Sequence, residues 1–130
     1  MTTIRSRLET SASPEDAWAA IRDVGALHTR LAPGFVADTR LEPGARVVTF
    51  ANGMVVREPI VTIDDETRRL VWGAEGGATT HYSAALEVSP RPGGATVVWT
   101  ADFLPDDVKP RLAALIEEGT RAMKRALDAL

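Results

Sequence analysis

Alternating apolar and polar positions run through most of the chain and predict a protein built mainly of β-strands. In the first such segment, Ile4–Glu9, Ile4 and Leu8 fall on one side and charged residues on the other. Six more strands are predicted between turn-forming residues, namely Phe35–Leu41, Ala45–Phe50, Met54–Ile63, Arg69–Ala74, Thr79–Val88 and Ala95–Phe103. Because the connections are short, they favour an antiparallel meander over crossover units.

Two short helices are predicted between the first and second strands. Ser13 can cap the free N–H groups of a helix, and Pro14 suits the first helical position because it has no N–H to satisfy. Gly25 interrupts the apolar pattern. A second short helix is predicted over Ala26–Leu31, ended by Pro33-Gly34.

A long helix is predicted at the C-terminus, beginning at Asp106 or Asp107. Its apolar positions follow helical spacing: Leu112, Leu115, Ile116, Gly119, Ala122, Met123, Ala126, Leu127 and Leu130. A seven-stranded sheet with one apolar face needs a cover, and this helix has the matching stripe. The pattern predicts an α+β fold in which residues 1–130 form one domain. A curved antiparallel sheet surrounds the helix, with a cavity between them.

Composition and charge act mainly by exclusion. The chain has 130 residues, 15 basic and 18 acidic side chains, and a net charge of −3. The absence of cysteine excludes disulfides, thiolate metal sites and cysteine nucleophiles. Two histidines, His28 and His81, are too few for a histidine metal cage. We therefore expect no metal and no cofactor, and the mild acidity predicts no nucleic-acid partner.

No stretch approaches the roughly 18 consecutive apolar residues that a membrane helix requires. The first residues also lack the apolar core of a signal peptide. We therefore expect a cytoplasmic protein with no membrane span. Lysine occurs only at Lys109 and Lys124, and this preference for arginine is typical of a GC-rich genome, as in a bacterial protein.

Several short strings, spread over nearly the whole chain, carry a family resemblance. They are Ser13-Pro14-Glu15-Asp16-Ala17-Trp18, Asp23-Val24-Gly25-Ala26-Leu27-His28, Pro43-Gly44-Ala45-Arg46, Asn52-Gly53, Arg57-Glu58, Ile63-Asp64-Asp65-Glu66 and Thr96-Val97-Val98-Trp99-Thr100. Together they resemble the polyketide cyclase/dehydrase group of the START-like (SRPBCC, helix-grip) superfamily. The resemblance implies a hydrophobic ligand cavity between sheet and helix. It fixes the fold better than the reaction, because the superfamily includes carriers, receptors, cyclases and co-chaperones.

Strand alternation predicts which side chains face the helix. It places Tyr82 inward and His81 outward, and Trp72 and Trp99 inward as well. The predicted ligand site comprises the polar pair described next and an apolar wall of Val48, Phe50, Val56, Trp72, Tyr82, Trp99, Ile116, Gly119 and Met123. We expect Gly119 to leave space for the ligand. The alternative is that the aromatic residues are simply core.

Glu58 is the most informative polar residue, because it lies within a largely apolar strand. A buried carboxylate needs a charged or hydrogen-bonding partner, or it must take up a proton. If Ala51-Asn52-Gly53 forms a three-residue hairpin loop, Arg46 lies opposite Glu58. A two-residue Asn52-Gly53 turn would instead place Arg57 opposite Val48, and we favour the three-residue register.

The family resemblance adds a role for this pair. In plant hormone receptors that look similar over this stretch, positions matching Arg46, Glu58 and Tyr82 contribute polar groups to the ligand cavity. This chain departs from them in its gate loop, shortened here to Ala51-Asn52-Gly53, which argues against a hormone-style lid. A purely structural ion pair remains the alternative for Arg46 and Glu58.

Three functions stay open. The first is binding of a small hydrophobic or aromatic molecule, polyketide-like or lipid-like. The second is an aromatase/cyclase or dehydrase, in which Glu58 or Tyr82 would move a proton and Arg46 would steady an enolate. The third is a protein-interaction module or a homodimer, using apolar residues on the outer side of one strand, namely Val55, Val61 and Ile63.

Two further features favour structural interpretations. His28 lies near the expected mouth of the cavity, but a lone histidine is more often a surface or capping residue than a base. The run Asp64-Asp65-Glu66 lacks the glycine-bearing spacing of a calcium loop, so a hairpin turn explains it better. Gly76-Gly77 and Gly93-Gly94 are also predicted as turns, because neither pair opens a helix.

Overall fold

One seven-stranded antiparallel sheet dominates the computed structural model, which describes residues 1–130. Its strands are β1 (Thr2–Thr10), β2 (Val36–Glu42), β3 (Ala45–Phe50), β4 (Val55–Asp64), β5 (Arg69–Gly73), β6 (His81–Arg91) and β7 (Gly94–Leu104). The spatial order is β1-β7-β6-β5-β4-β3-β2. Strands β2 to β7 thus form the predicted meander, and β1 adds to its end beside β7.

The first helix after β1 begins where the capping signals predict. Helix α1 spans Pro14–Arg22, and the Ser13 side chain accepts a hydrogen bond from the backbone N–H of Asp16 at 3.1 Å. The predicted second helix is instead two short helical segments. One is a 3₁₀ turn over Val24–Ala26, and the other is a π-helical turn over Leu27–Leu31.

Helix α2 spans Lys109–Asp128 and covers the inner face of the sheet. Its buried side chains include Leu112, Ile116, Met123 and Leu127. The prediction that Asp106 or Asp107 begins this helix was wrong by a few residues. Those aspartates lie in a separate 3₁₀ turn, and Pro110, which needs no N–H partner, lies in the first turn of α2.

The β3–β4 hairpin has the predicted three-residue register. Arg46 lies opposite Glu58, and Val48 lies opposite Val56. The backbone N–H of Phe50 donates to the carbonyl of Met54 at 2.8 Å and closes the loop. Gly53 has a φ of +89°, a left-handed conformation that favours glycine at this position.

A β-bulge interrupts β4 and corrects one prediction. Ile60 pairs with Trp72 but Thr62 pairs with Val71, so Val61 is an extra residue in β4. The bulge puts Ile63 opposite the fully buried Leu70, on the inner side of the sheet. Val55, Val61 and Ile63 are exposed, but they do not share one outer face as predicted. A one-residue shift moves every later side chain to the other face.

The acidic turn Asp64-Asp65-Glu66 attaches α1 to the sheet. Asp64 accepts hydrogen bonds from the backbone of Glu66 and so shapes the turn, as predicted. Asp65 accepts from the indole Nε1 of Trp18 at 2.9 Å and from Nε of Arg22 at 2.8 Å. The hydrogen bond from Arg22 keeps the pKa of Asp65 below its ordinary value. This acidic segment therefore has a structural role.

The end of β1 lies close to the start of β7, and this contact yields a prediction about Gly94. A Cβ at this position would lie 1.9 Å from the carbonyl oxygen of Thr10, which is backbone and cannot move aside. We expect Gly94→Ala to destabilise the protein by about 3 kcal/mol in urea unfolding.

The neighbouring Gly93→Ala is the matched control. Gly93 has a φ of +82°, but a Cβ added there would meet no atom within 4 Å, so the substitution should cost only about 1 kcal/mol. A smaller loss for Gly94→Ala than for Gly93→Ala would contradict the close contact.

Candidate functional site

A cavity of about 110 Å³ lies between the sheet and α2. Its wall consists of 24 residues, of which 18 are hydrophobic. The sheet and α2 supply most of them. The segment after α1, the β5–β6 connection and Met54 of the β3–β4 loop supply the rest. An apolar cavity of about 150 Å³ holds benzene, so this smaller space is on the scale of one small ring at most.

Ten of the eleven predicted site residues line this cavity. They are Arg46, Phe50, Val56, Glu58, Trp72, Tyr82, Trp99, Ile116, Gly119 and Met123. The exception is Val48, which is fully buried in the hydrophobic core and does not reach the cavity. Its inward direction was predicted correctly, because it packs within the hydrophobic core. Whether the ten bind a ligand stays a prediction.

Gly119 lies close to two aromatic rings of the wall. A Cβ there would lie 2.9 Å from Cζ3 of Trp99 and 3.0 Å from Cε2 of Phe35. The missing side chain therefore makes room for these rings, and whether it also leaves space for a ligand stays a prediction. This close approach brings α2 against the sheet.

Sequence reasoning missed the part of the wall that follows α1. Leu27, Leu31 and Phe35 all line the cavity, and the ring of Phe35 meets that of Phe50 edge-on with centroids 5.3 Å apart. The spacing of Leu27 and Leu31 places both on one side of a helical turn, a signal that could have indicated an inward face.

The β5–β6 connection also contributes to the wall. Gly76, Gly77, Ala78 and Thr79 line the cavity, and both glycines have positive φ angles of +97° and +77°. The segment is the turn that the glycines predict. Nothing in its residues indicates that it folds back toward the β3–β4 hairpin, where Gly77 approaches Met54.

The polar end of the cavity is the Arg46–Glu58 pair. Nε of Arg46 donates to Oε1 of Glu58 at 2.8 Å, and the two side chains are only 3% and 9% exposed. Nη1 of Arg46 makes a longer contact of 3.4 Å to the carbonyl of Val24. The guanidinium also lies 5.5 Å from the ring centroid of Trp72, within cation–π range.

Burial dominates the electrostatics of this end. Loss of water raises the pKa of Glu58, although the charge and hydrogen bond of Arg46 favour the carboxylate. Burial, together with the nearby negative charge of Glu58, also raises the pKa of Tyr82. Tyr82 therefore remains a neutral phenol at physiological pH, and its hydroxyl can donate or accept a hydrogen bond.

One donor of the wall has no partner. Nε1 of Trp99 is buried near the Tyr82 hydroxyl, where it opposes the rise in the Tyr82 pKa, but it makes no hydrogen bond of good geometry. The ring of Trp99 lies 6.0 Å from that of Trp72, between centroids, so the two indoles form one aromatic side of the cavity. Leaving a buried N–H unpaired costs about 1–3 kcal/mol.

His28 is not part of the cavity wall, although its neighbour Leu27 is. Its Nε2 lies 3.9 Å from Oδ1 of Asp38 on β2, and its Nδ1 is buried without a partner. The structure therefore does not bring His28 together with Glu58 and Tyr82. No three histidine, aspartate or glutamate side chains are grouped as a metal site would require. Neither helix has the length and apolar character needed to cross a bilayer.

A curved antiparallel sheet around a long C-terminal helix, with a cavity between them, defines the helix-grip class. Solved structures share this fold. A Thermobifida fusca protein is 31% identical, with a TM-score of 0.78 over 98% of this chain and 91% of that one. The XoxI protein of Bacillus cereus is 18% identical, with a TM-score of 0.86 over 98% and 96%. Ara h 8.0201 is 18% identical, with a TM-score of 0.76 over 99% of both chains.

The family model described as "Polyketide cyclase / dehydrase and lipid transport" matches residues 1–130. The chain therefore belongs to this family, as the resemblance of its short strings implied. No curated protein matches it.

The raised pKa of Glu58 predicts a pH dependence of stability. The native carboxyl holds its proton more readily than the unfolded one, whose pKa is near 4.5. Stability should therefore fall, relative to Glu58→Gln, as pH rises from 4.5 through the native pKa. Urea unfolding of both proteins between about pH 4 and 8 measures the difference. If the free energy of unfolding changes with pH in the same way for both proteins, the raised pKa is contradicted. The other carboxylates are present in both proteins, so their contributions cancel.

Proposed function

We propose that the protein binds a small, mainly apolar molecule in the cavity between its sheet and α2. The observation that carries this proposal is the composition of the wall, in which 18 of 24 residues are hydrophobic and a few polar groups converge at one end. Ligand sites commonly combine an apolar lining with a few placed polar groups.

The polar end would orient this ligand. The Arg46–Glu58 pair is held by the β3–β4 register, and Tyr82 lies near it on β6. Tyr82 and Trp99 would offer hydrogen bonds to a bound molecule, while the aromatic rings supply contact area. The family's association with lipid transport supports a carrier or binding role, and the ligand would be an aromatic, polyketide-like or short lipid-like molecule.

A cavity-filling variant tests this proposal. Leu115 lies on α2 in the cavity wall, and Ala114 is exposed on the same helix. Native mass spectrometry should detect a co-purifying apolar molecule, or NMR titration should detect binding of 4-methylphenol to the empty protein. Leu115→Trp should weaken this binding at least about tenfold, because the larger indole occupies space that the ligand needs.

Ala114→Trp is the matched control, since it adds the same side chain outside the cavity. It should leave binding unchanged. Equal binding by both variants would place the ligand elsewhere, and no binding by the unmodified protein would contradict the proposed function.

A second candidate function is catalysis, favoured by the raised pKa of Glu58 beside a neutral phenol. Ionised Glu58 would remove a proton from the carbon between two carbonyl groups. Arg46 would hold the enolate oxygen while the carbon attacks a further carbonyl of the same chain. The resulting alkoxide would take the proton back from Glu58, and the new hydroxyl would leave as water together with a neighbouring C–H proton.

A linear tetraketone with carbonyls on alternate carbons tests this second function, because the carbon between its first two carbonyls can close a six-membered ring on the fourth. Catalysis predicts that the protein accelerates its cyclisation and that Glu58→Gln reduces the acceleration by about 100-fold or more. Cyclisation at the rate of the buffer alone would exclude the role, whereas equal acceleration by Glu58→Gln would exclude Glu58 as the base.

A further inference from the structure

The charges on the cavity wall sum to zero. Among the 24 lining residues, Arg46 is the only cation and Glu58 the only acid. Tyr82 is the one other titratable group. A phenol is already neutral at pH 7, and burial and Glu58 raise its pKa further. The wall segment after α1, the β5–β6 connection and α2 contribute no charged side chain. A ligand therefore meets an arginine whose charge is already balanced.

The geometry of the pair leaves one donor and one acceptor unused. A guanidinium and a carboxylate can form two parallel hydrogen bonds, but here a single bond joins Nε to Oε1. Nη2 of Arg46 makes no hydrogen bond to the protein. Glu58 also accepts from Trp72, but its two oxygens together can accept about four hydrogen bonds, so acceptor capacity is left on the carboxylate. An N–H group thus lies near a carboxylate oxygen at the edge of an apolar space.

Neutral groups that carry an acceptor beside a donor complement this edge. The carbonyl oxygen of an amide or hydroxy-ketone would accept from Arg46, and its N–H or O–H would donate to Glu58. Both unused groups would then be satisfied without disturbing the existing ion pair. Hydrogen bonds to charged groups are stronger than those between neutral ones, which favours such a head group further.

A ligand carboxylate does not complement this edge of the cavity. It has no proton to donate to Glu58, and it would bring a second negative charge beside the first. Few water molecules can screen the two charges, because Glu58 is only 9% exposed. Binding would then require either protonation of Glu58 or rupture of its bond to Arg46, and both cost free energy.

We propose that the cavity selects neutral molecules with a hydrogen-bond acceptor beside a donor, such as amides and hydroxy-ketones, over carboxylates of the same shape. This inference rests on the proposed binding function and adds a rule for its ligand. Free fatty acids and aromatic acids are excluded by this rule, even though the cavity is mostly apolar.

Two ligands of nearly identical shape test the rule. 4-Methylbenzamide and 4-methylbenzoate each have one ring and a planar head, but only the second carries a charge at pH 7. NMR titration of the full-length protein should show at least about tenfold tighter binding of the amide, since like charges in a buried site repel strongly. Comparable affinities would overturn the rule while leaving the binding function intact. Binding of neither compound would overturn both.

Glu58→Gln tests the cause of the selectivity. The substitution removes the negative charge and leaves Arg46 as an unbalanced cation, so 4-methylbenzoate should gain at least about tenfold and the preference should fall or reverse. If the variant still prefers the amide to the same extent, the charge of Glu58 is not the cause of the selectivity. If this variant does not fold, the unmodified protein can be titrated at lower pH with 4-methylbenzenesulfonate, which stays ionised there. Protonation of Glu58 should then strengthen binding of this anion and leave binding of the amide unchanged.

Discussion

A buried ion pair in an apolar wall is the constraint on which the site depends. Arg46 and Glu58 lose most of their hydration on folding, and each can remain charged only because the other is held within hydrogen-bond distance. That distance is set by the register of one hairpin, in which a three-residue loop puts the two side chains directly opposite each other. A register shifted by one residue would leave each charge without its partner.

Aromatic packing determines the space in front of this pair. Gly119 lets α2 approach Trp99 and Phe35 closely, so α2 packs directly against aromatic rings. The shape of the cavity consequently follows from ring positions on β3, β5 and β7. The ion pair supplies direction, and the rings supply most of the contact surface available to a bound molecule.

Sequence alone could predict the features that depend on local pattern. Alternation and turn residues indicated all seven strands, and the chemistry of a buried carboxylate indicated the pairing of Glu58 with Arg46. Features that depend on distant packing were not predictable in this way. The bulge at Val61 carries no glycine to mark it, and it moves Ile63 to the other face. Likewise, no local signal shows that Gly119 meets Trp99, because those residues approach only after α2 docks.

The position of β1 beside β7 has a consequence for how the molecule assembles. Every register pair between these two strands joins residues from opposite ends of the chain, from Thr2 with Phe103 to Thr10 with Ala95. Such contacts close the longest loop in the fold, which is slow because of its entropy. During synthesis from the N-terminus, β1 must wait for β7 to emerge, while the hairpin carrying Arg46 and Glu58 can form early. The polar end of the cavity can thus be built before the chain encloses it.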